Sequence, residues 1–316
     1  HVSADAWADD TLRAGIMSLI DARKVNTVEL DLKDEAGVVG WASGVPLADQ
    51  VGAERVTYDL KGAIADLHAK GIRVVGRLVC FADPIFAGAA WKAGDTDRVV
   101  QASDGGPYKG YGGFANPANP AVRKYMTAIA VSAAKLGVDE VLLDYVRRPD
   151  GPLDSMTFPG LKGTPDAAIV GFLKGLKTAL QPYPVLLGAS VFGISASRPE
   201  EVAQNIPAMS RYLDYVAPMV YPSHWAPGEY DVANPNAQPY DIVKASVADF
   251  HRVSGGIRVV PWLQDFSLGR DYGVDDVRAQ IKASADAGSP EFILWDPAVT
   301  YTADALADDA PTGAVG

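Results

Sequence analysis

The most constraining feature of this sequence is an alternation between short apolar segments rich in β-branched residues and longer segments with helical periodicity. Such alternation implies parallel strands joined by right-handed crossovers. Eight strand–helix units in a chain of 316 residues are typical of a (β/α)8 barrel. We therefore predict an α/β fold: a single (β/α)8 TIM barrel over residues 1–302, followed by a flexible C-terminal tail over residues 303–316.

The predicted elements follow one another along the whole chain. The strands are expected at 2–4 (a truncated first strand), 25–32, 72–81, 138–145, 185–192, 215–221, 257–263 and 292–295. The helices are expected at 9–23, 58–70, 120–136, 165–180, 200–212, 242–253 and 275–287. A doubly wound open sheet is the alternative fold. It is disfavoured because no G-x-G-x-x-G motif of a dinucleotide-binding site follows the first strand.

One connection in this pattern is unusually long. Residues 83–117, after the third predicted strand, are rich in glycine and aromatic residues and are predicted to form a loop. Loops of this length inside a compact domain are usually functional. We expect this loop to shape a cleft at the carboxyl ends of the strands.

Charge and apolar patterning exclude several classes of partner. The net charge of −11 argues against nucleic acid, which requires a basic surface, and suits a neutral or cationic ligand. No apolar run approaches the roughly 20 residues that span a bilayer, so no membrane span is expected. The single cysteine, Cys80, allows no intrachain disulfide. The chain starts at His1 without a signal peptide, which fits a cytoplasmic protein or one cut after a leader. We expect a monomer.

Asp144 is the first candidate for chemistry, because it ends the fourth predicted strand. Strands buried on both faces have no place for a charge in their middle, but their carboxyl ends form the active face of a barrel. The alternative interpretation is structural: Asp144 would only pair with Arg147 or Arg148, or cap the next element.

Three chemistries of such barrels are disfavoured by the residues at the strand ends. The four histidines include two, His68 and His251, that lie in predicted helices, so a three-histidine zinc site cannot form. No metal or other cofactor is expected. The segment after the eighth strand has no glycine at Asp296 to Val299, unlike a phosphate-binding barrel. Lys33 has carboxylate neighbours, which disfavour the neutral lysine that a Schiff-base aldolase needs.

Carboxylates and aromatic rings remain at the predicted strand ends. Carbohydrates present apolar C–H faces that stack on rings and hydroxyls that bond to charged groups. Cleavage of a glycosidic bond needs two carboxyl groups facing that bond, one protonated and one ionised. The carboxylates are Asp31, Asp34, Asp144, Asp265 and Asp296. The rings are Trp41, Tyr111, Phe114, Tyr145, Tyr221, Trp225, Trp262, Phe266 and Trp295, and each of them singly could instead be a core residue.

Several blocks of residues then resemble a known family. They are Lys33 to Gly37, Gly76 to Pro84, Asp144 to Arg147, Val191 to Gly193, Pro218 to His224, Asn234-Pro235 with Pro239-Tyr240, and Pro261 to Phe266. In this order they resemble the bacterial "putative glycosyl hydrolase domain" family, barrels similar to α-amylase and related glycosidases. The resemblance covers residues 1–297 and implies a glycosidase-like barrel with a sugar as ligand. The chain departs from the family pattern at Arg148, where an aromatic residue is usual, and at Asp296, where asparagine is common.

By analogy with those barrels, we predict a glycoside hydrolase with Asp144 and Asp265 as the catalytic pair and Asp34 as the reserve acid. Retention and inversion stay open, and so does the assignment of the acid within the pair. The predicted substrate-binding residues are Arg77, Arg147, Tyr145, Tyr221, His224, Trp225, Trp262, Gln264, Trp295 and Asp296. The alternatives are a carbohydrate- or cell-wall-binding barrel without turnover, and a transglycosidase or lyase on the same site. With a bacterial polysaccharide as substrate, an extracellular or cell-envelope location is favoured, although the sequence does not fix it.

Overall fold

The central element is a curled parallel sheet. The computed structural model describes residues 1–307. The strands of this sheet are β1 (Thr27–Lys33), β2 (Arg73–Val79), β4 (Glu140–Asp144), β6 (Leu186–Phe192), β7 (Tyr215–Met219), β8 (Arg258–Val259), β9 (Trp262–Gln264) and β10 (Ile293–Trp295). Their order is β1-β2-β4-β6-β7-β9-β10, with β8 paired to β7. Two short strands, β3 (Gln101–Ala102) and β5 (Met156–Thr157), form a separate antiparallel pair. The α/β prediction is confirmed.

The two ends of this sheet, β1 and β10, are joined by the first residues of the chain rather than by a full strand. Val2 forms a parallel bridge with Leu30, and its N–H donates to the carbonyl oxygen of Glu29 at 2.7 Å. His1 nitrogen lies 3.5 Å from the carbonyl oxygen of Leu294 on β10. The predicted strand over residues 2–4 is thus wrong beyond Val2, because Ser3 already caps the first helix. The barrel is incompletely closed at this seam.

Ten helices are assigned in the described residues, and most cover the outside of the sheet. They are α1 (Ala4–Ala8), α2 (Asp10–Asp21), α3 (Pro46–Gln50), α4 (Leu60–Ala69), α5 (Pro84–Lys92), α6 (Pro120–Leu136), α7 (Pro165–Leu180), α8 (Ile206–Met209), α9 (Pro239–Val253) and α10 (Val274–Asp286). The predicted helix over residues 120–136 has the same limits in the structure. Asn119 caps α6, Pro120 occupies its first turn, and Gly137 ends it at φ 101°.

Four predicted segments differ from the structure. The predicted loop over residues 83–117 begins with α5, since Asp83 caps a helix whose first residue is Pro84. The predicted helix over residues 200–212 contains only a 3-10 turn and the short α8. The predicted strand over residues 257–263 is divided into β8 and β9 around Pro261, which has no N–H to donate. Within the predicted tail over residues 303–316, Ala303–Ala305 form a 3-10 turn and Ala305 and Leu306 are buried, while residues 308–316 lie outside the described part.

The apolar core has two parts, as expected for a barrel. A large cluster lies between the sheet and the helices. A smaller cluster inside the sheet contains Val75, Leu142, Tyr215, Ala217, Tyr221, Val260 and Trp262. Inward-pointing residues alternate with outward-pointing ones along each strand, so the polar residues of β1 and β2 that point inward lie above this inner cluster. Among the described residues, no helix is long and apolar enough to cross a bilayer.

Candidate functional site

A cleft of about 430 Å³ opens at the carboxyl ends of the strands. Sites of this kind usually measure roughly 300–1,000 Å³. Nine of the predicted site residues line it, namely Arg77, Asp144, Tyr145, Arg147, Tyr221, His224, Trp225, Trp262 and Trp295. Tyr111, one of the aromatic residues expected at this face, also lines the cleft. The sequence prediction did not include the remaining lining residues, which are Glu35, Phe192, Gly193, Ile194 and Met219.

Asp144 is the last residue of β4 and lies at the cleft wall with only 7% of its side chain exposed. Its Oδ1 accepts a hydrogen bond from the N–H of Tyr145 at 2.7 Å. Its Oδ2 accepts two bonds from Arg77, from Nε at 3.1 Å and from Nη2 at 2.7 Å. The next residue, Tyr145, has a left-handed backbone with φ 47°. Such strain is costly for a residue with a side chain and often accompanies functional sites.

Arg77 connects the carboxylates of this site. It comes from β2, its side chain is 2% exposed, and its Nη1 donates to Oδ1 of Asp31 at 2.8 Å. Its Nη2 donates to both Asp144 and Glu35. Burial disfavours the charged guanidinium, but the surrounding carboxylates outweigh this and raise the pKa of Arg77 well above its usual value.

The pKa values of Asp31 and Glu29 are shifted in opposite directions by this environment. Burial opposes ionisation of Asp31, but the charges of His1 and Arg77 outweigh it and lower the pKa of Asp31. Glu29 lies deeper, with both carboxylate oxygens buried and unpartnered and Arg77 Nε 4.0 Å away. Burial raises the pKa of Glu29 to about 8. Glu29 is therefore predominantly protonated at neutral pH, and Asp31 is ionised.

Glu35 is a carboxylate in the cleft that the sequence prediction missed. Its side chain is 43% exposed and bonds to Arg77 through Oε1. The preceding residue, Asp34, was the predicted reserve acid, but it does not line this cleft. Asp34 Oδ1 instead accepts from the N–H of Val38 at 2.8 Å, while Gly37 N–H donates to the Asp34 carbonyl oxygen at 3.1 Å. The Asp34 carboxylate thus closes the turn that carries Glu35.

This turn has no room for a side chain at Gly37. The residue has φ 85°, and a Cβ built there would lie 2.4 Å from Oδ1 of Asp83. Asp83 is itself fixed by a fully buried ion pair with Lys33 at 3.0 Å. Of the two neighbouring carboxylates in the segment from Lys33 to Gly37, Glu35 lines the cleft and Asp34 does not.

Arg147 lies at one side of the cleft in a cage of aromatic rings. Its guanidinium carbon is 5.1 Å from the centroid of Tyr111, 4.9 Å from Tyr145 and 4.3 Å from Phe192. Its Nη2 also donates to the hydroxyl of Tyr111 at 3.1 Å. The 83–117 segment thus supplies one wall of the cleft through Tyr111, as the sequence predicted.

Rings from β9, from β10 and from the segment after β7 form another part of the cleft lining. Trp262 and Trp295 are in edge contact at 5.7 Å, and Trp262 Nε1 donates to Ser190 Oγ at 3.0 Å. Tyr221 packs on His224 at 5.3 Å. Burial lowers the pKa of His224, so this imidazole is predominantly neutral at neutral pH. These rings provide an apolar surface beside the carboxylates that bond to Arg77.

A second groove adjoins the cleft, since His224 and Trp295 line both. It contains Asp265 and Asp296, which the sequence placed in the site. Asp265 accepts two bonds from Thr302, one from the N–H at 2.8 Å and one from the hydroxyl at 2.6 Å. Burial raises the pKa of Asp265, although these bonds act in the opposite direction.

Asp296 and Gln264 have structural partners. Asp296 Oδ2 accepts from the N–H and the hydroxyl of Thr300 at 3.1 and 2.7 Å. Gln264 is fully buried, and its Oε1 accepts from the hydroxyl of Ser223 at 2.8 Å. Gln264 therefore supports the Tyr221–His224 segment from below the cleft. Within residues 1–307, no group of three or more histidine, cysteine, aspartate or glutamate side chains is arranged to hold a metal ion.

Comparison with solved structures shows the same fold in glycoside hydrolases. The glycoside hydrolase domain of PgaB (BpsB) from Bordetella bronchiseptica superposes with a TM-score of 0.68 at 16% identity, covering 96% of this chain and 97% of that one. An α-galactosidase from Thermus thermophilus gives 0.58 at 12% identity, covering 93% and 56% of the two chains. A hypothetical protein from Ruminiclostridium thermocellum is 28% identical, with a TM-score of 0.51 over 60% of this chain and 95% of its own.

Comparison with curated proteins gave no match. The sequence profile of one family covers residues 1–301, which is nearly all of the described chain. The chain therefore belongs to the family described as "Putative glycosyl hydrolase domain".

Proposed function

We propose that this protein hydrolyses glycosidic bonds in a poly- or oligosaccharide, with Asp144 as the carboxylate that acts at the anomeric carbon. The observation that carries the proposal is the position of Asp144. It ends a central strand at the wall of a ring-lined cleft, and two nitrogens of Arg77 bond to its Oδ2. These bonds hold the Asp144 carboxylate in one position at the cleft wall, as a nucleophile or a general base requires.

The aromatic walls support a carbohydrate as the ligand. Trp262, Trp295, Tyr221 and Trp225 present rings on one side, and the Arg147 cage lies on another. Sugar rings stack on such surfaces through their C–H faces, while their hydroxyls bond to charged groups. The net charge of −11 suits a neutral or cationic carbohydrate better than an anionic one.

The reaction also needs a proton donor. Asp265, the predicted partner of Asp144, remains a proposal: its raised pKa suits a donor, and its groove adjoins the cleft through His224 and Trp295. Against this, Thr302 bonds to both of its carboxylate oxygens. A general acid must direct its proton at the departing oxygen, so Asp265 would have to release part of this contact.

The test is a screen of α- and β-linked bacterial polysaccharides and of nitrophenyl glycosides, with product analysis. We expect new reducing ends from the wild-type protein and none from Asp144→Asn, which has nearly the same shape. Circular dichroism and thermal unfolding should show that the variant is folded. Near-normal turnover by Asp144→Asn would remove Asp144 from the reaction.

Two other functions would give different results in the same screen. A carbohydrate-binding barrel would retain a polysaccharide in a pull-down assay without producing reducing ends. A transglycosidase or lyase would yield longer oligosaccharides or unsaturated products instead of simple hydrolysis products. The aromatic walls are compatible with all three functions, whereas the Asp144–Arg77 arrangement favours catalysis.

A further inference from the structure

We propose that Glu35 is the acid/base catalyst that works with Asp144, and that the enzyme therefore retains the anomeric configuration. This inference rests on the proposed glycosidase function and identifies the second carboxyl group of its site. It assigns a role to a residue that the sequence prediction passed over in favour of Asp34 and Asp265.

Glu35 lies close to Asp144. Both line the same cleft, and both accept a hydrogen bond from Nη2 of Arg77. Hydrogen bonds of this kind measure about 3 Å or less, so the two acceptor oxygens lie within about 6 Å of each other. Retaining glycosidases hold their two carboxyl groups roughly 5–5.5 Å apart, and inverting enzymes roughly 6.5–9.5 Å apart. The shared nitrogen thus favours the short, retaining separation.

Glu35 is also the most exposed of the carboxylates that bond to Arg77. Glu35 has 43% of its side chain exposed, compared with 7% for Asp144 and 3% for Asp31. An acid/base group must exchange a proton with water in each turnover, while a nucleophile is better shielded. Of the three carboxylates bonded to Arg77, Glu35 is the one placed to do this.

The reaction then proceeds in two balanced steps. In the first, an Asp144 oxygen bonds to the anomeric carbon, the glycosidic C–O bond breaks, and the Glu35 proton passes to the departing oxygen. In the second, Glu35 takes a proton from water, whose oxygen bonds to the anomeric carbon as the ester to Asp144 breaks. Asp144 is again a carboxylate and Glu35 again a carboxylic acid. Two displacements at one carbon retain its configuration.

The experiment compares Glu35→Gln with Asp265→Asn on two substrates. One is the polysaccharide found in the screen, and the other is the 2,4-dinitrophenyl glycoside of the released sugar, whose leaving group needs no proton. We expect Glu35→Gln to lose about 10²–10⁴-fold in kcat/KM on the polysaccharide and far less on the dinitrophenyl glycoside. Its pH profile should lose the alkaline limb, and azide should give a glycosyl azide of retained configuration. Glu291→Gln, at an exposed ion pair with Arg258, is the matched control.

Each outcome decides the proposal. Equal losses on both substrates, normal turnover of the polysaccharide by Glu35→Gln, or inverted products would overturn it. The same leaving-group dependence in Asp265→Asn instead would assign the proton donor to Asp265. If wild-type protein cleaves neither substrate, the glycosidase function itself fails. If Glu35→Gln does not fold, Glu35→Ala with azide on the dinitrophenyl glycoside replaces it, and failure of azide to restore turnover counts against the proposal.

Discussion

Arg77 bonds to Asp144 through two of its nitrogens, which converge on the single oxygen Oδ2 at 3.1 and 2.7 Å. The guanidinium and the carboxylate are both buried. A lysine cannot reproduce this arrangement, because its ammonium has one point of attachment where arginine has a rigid planar fork. The geometry of the proposed nucleophile therefore depends on a residue from the neighbouring strand.

Removal of the Arg77 charge should destabilise the fold. Arg77→Met leaves Asp144 buried without its cation and Asp31 with His1 alone, and loss of one partner of a buried pair costs about 3–5 kcal/mol. Chemical denaturation should show this decrease in the free energy of unfolding. Arg252→Met, at a pair with a 70% exposed arginine, is the control and should change stability by less than about 1 kcal/mol. Similar effects of the two substitutions would contradict the buried network.

The buried Glu29 should make stability depend on pH. Its pKa is about 8 in the folded protein against a usual value of 4.5, so folding favours the protonated form. Its favourable contribution is complete below about pH 4.5 and is lost as pH rises towards 8, at about 1.4 kcal/mol per pH unit. Relative to wild type, Glu29→Gln should therefore gain stability between pH 5 and pH 8. Denaturation curves at several pH values test this, and a pH-independent difference would refute it.

Trp295 should contribute to substrate binding rather than to the chemical step. It lines both the cleft and the adjoining groove, and it packs on Trp262 and His1. We expect Trp295→Ala to raise KM about 10-fold, equivalent to about 1.4 kcal/mol, with a smaller change in kcat. Trp295→Phe should recover part of the loss, since a ring remains. A fall in kcat with unchanged KM would place Trp295 in the reaction instead.

The contact between Asp265 and Thr302 should hold the last described segment of the chain against the barrel. Thr302→Val keeps the N–H but removes the hydroxyl that donates to Asp265 at 2.6 Å. A hydrogen bond to a charged group contributes about 1.5–3 kcal/mol, so the variant should lose stability of that order. Thr178→Val on the exposed face of α7 is the matched control. An unchanged unfolding free energy would show that this contact is weak.

Much of the fold could be predicted because local sequence patterns determine where most helices and strands form. α6 begins and ends at the predicted residues, since Asn119, Pro120 and Gly137 specify its limits without help from the tertiary structure. Pairings between distant short segments could not be predicted. Strands β3 and β5 contain two residues each and pair across more than fifty positions, for which neither segment has a periodic signal.

The candidate site was predictable where a strand end determines the direction of a side chain. Arg77 on β2 pairs with Leu142 on β4, two residues before Asp144, so the side chains of Arg77 and Asp144 point to the same face of adjacent strands. At the turn after β1, the prediction chose Asp34, whereas the structure places Glu35 in the cleft. Which of two neighbouring carboxylates faces the cleft depends on turn geometry, which the sequence pattern does not resolve. The hydrogen bonds from Thr302 to Asp265, 37 positions away, likewise depend on tertiary structure.

The tight turn from Asp34 to Val38 has a practical consequence for mutational surveys. Asp34 fastens the turn, and Gly37 has no free volume on the side of Asp83. A methyl group at Gly37 would meet the Asp83 carboxylate, so Asp83 or the turn that carries Glu35 would have to shift. We therefore expect substitutions at Gly37 to alter the cleft although Gly37 does not line it, and an activity screen alone would not distinguish such a position from a residue that contacts the ligand.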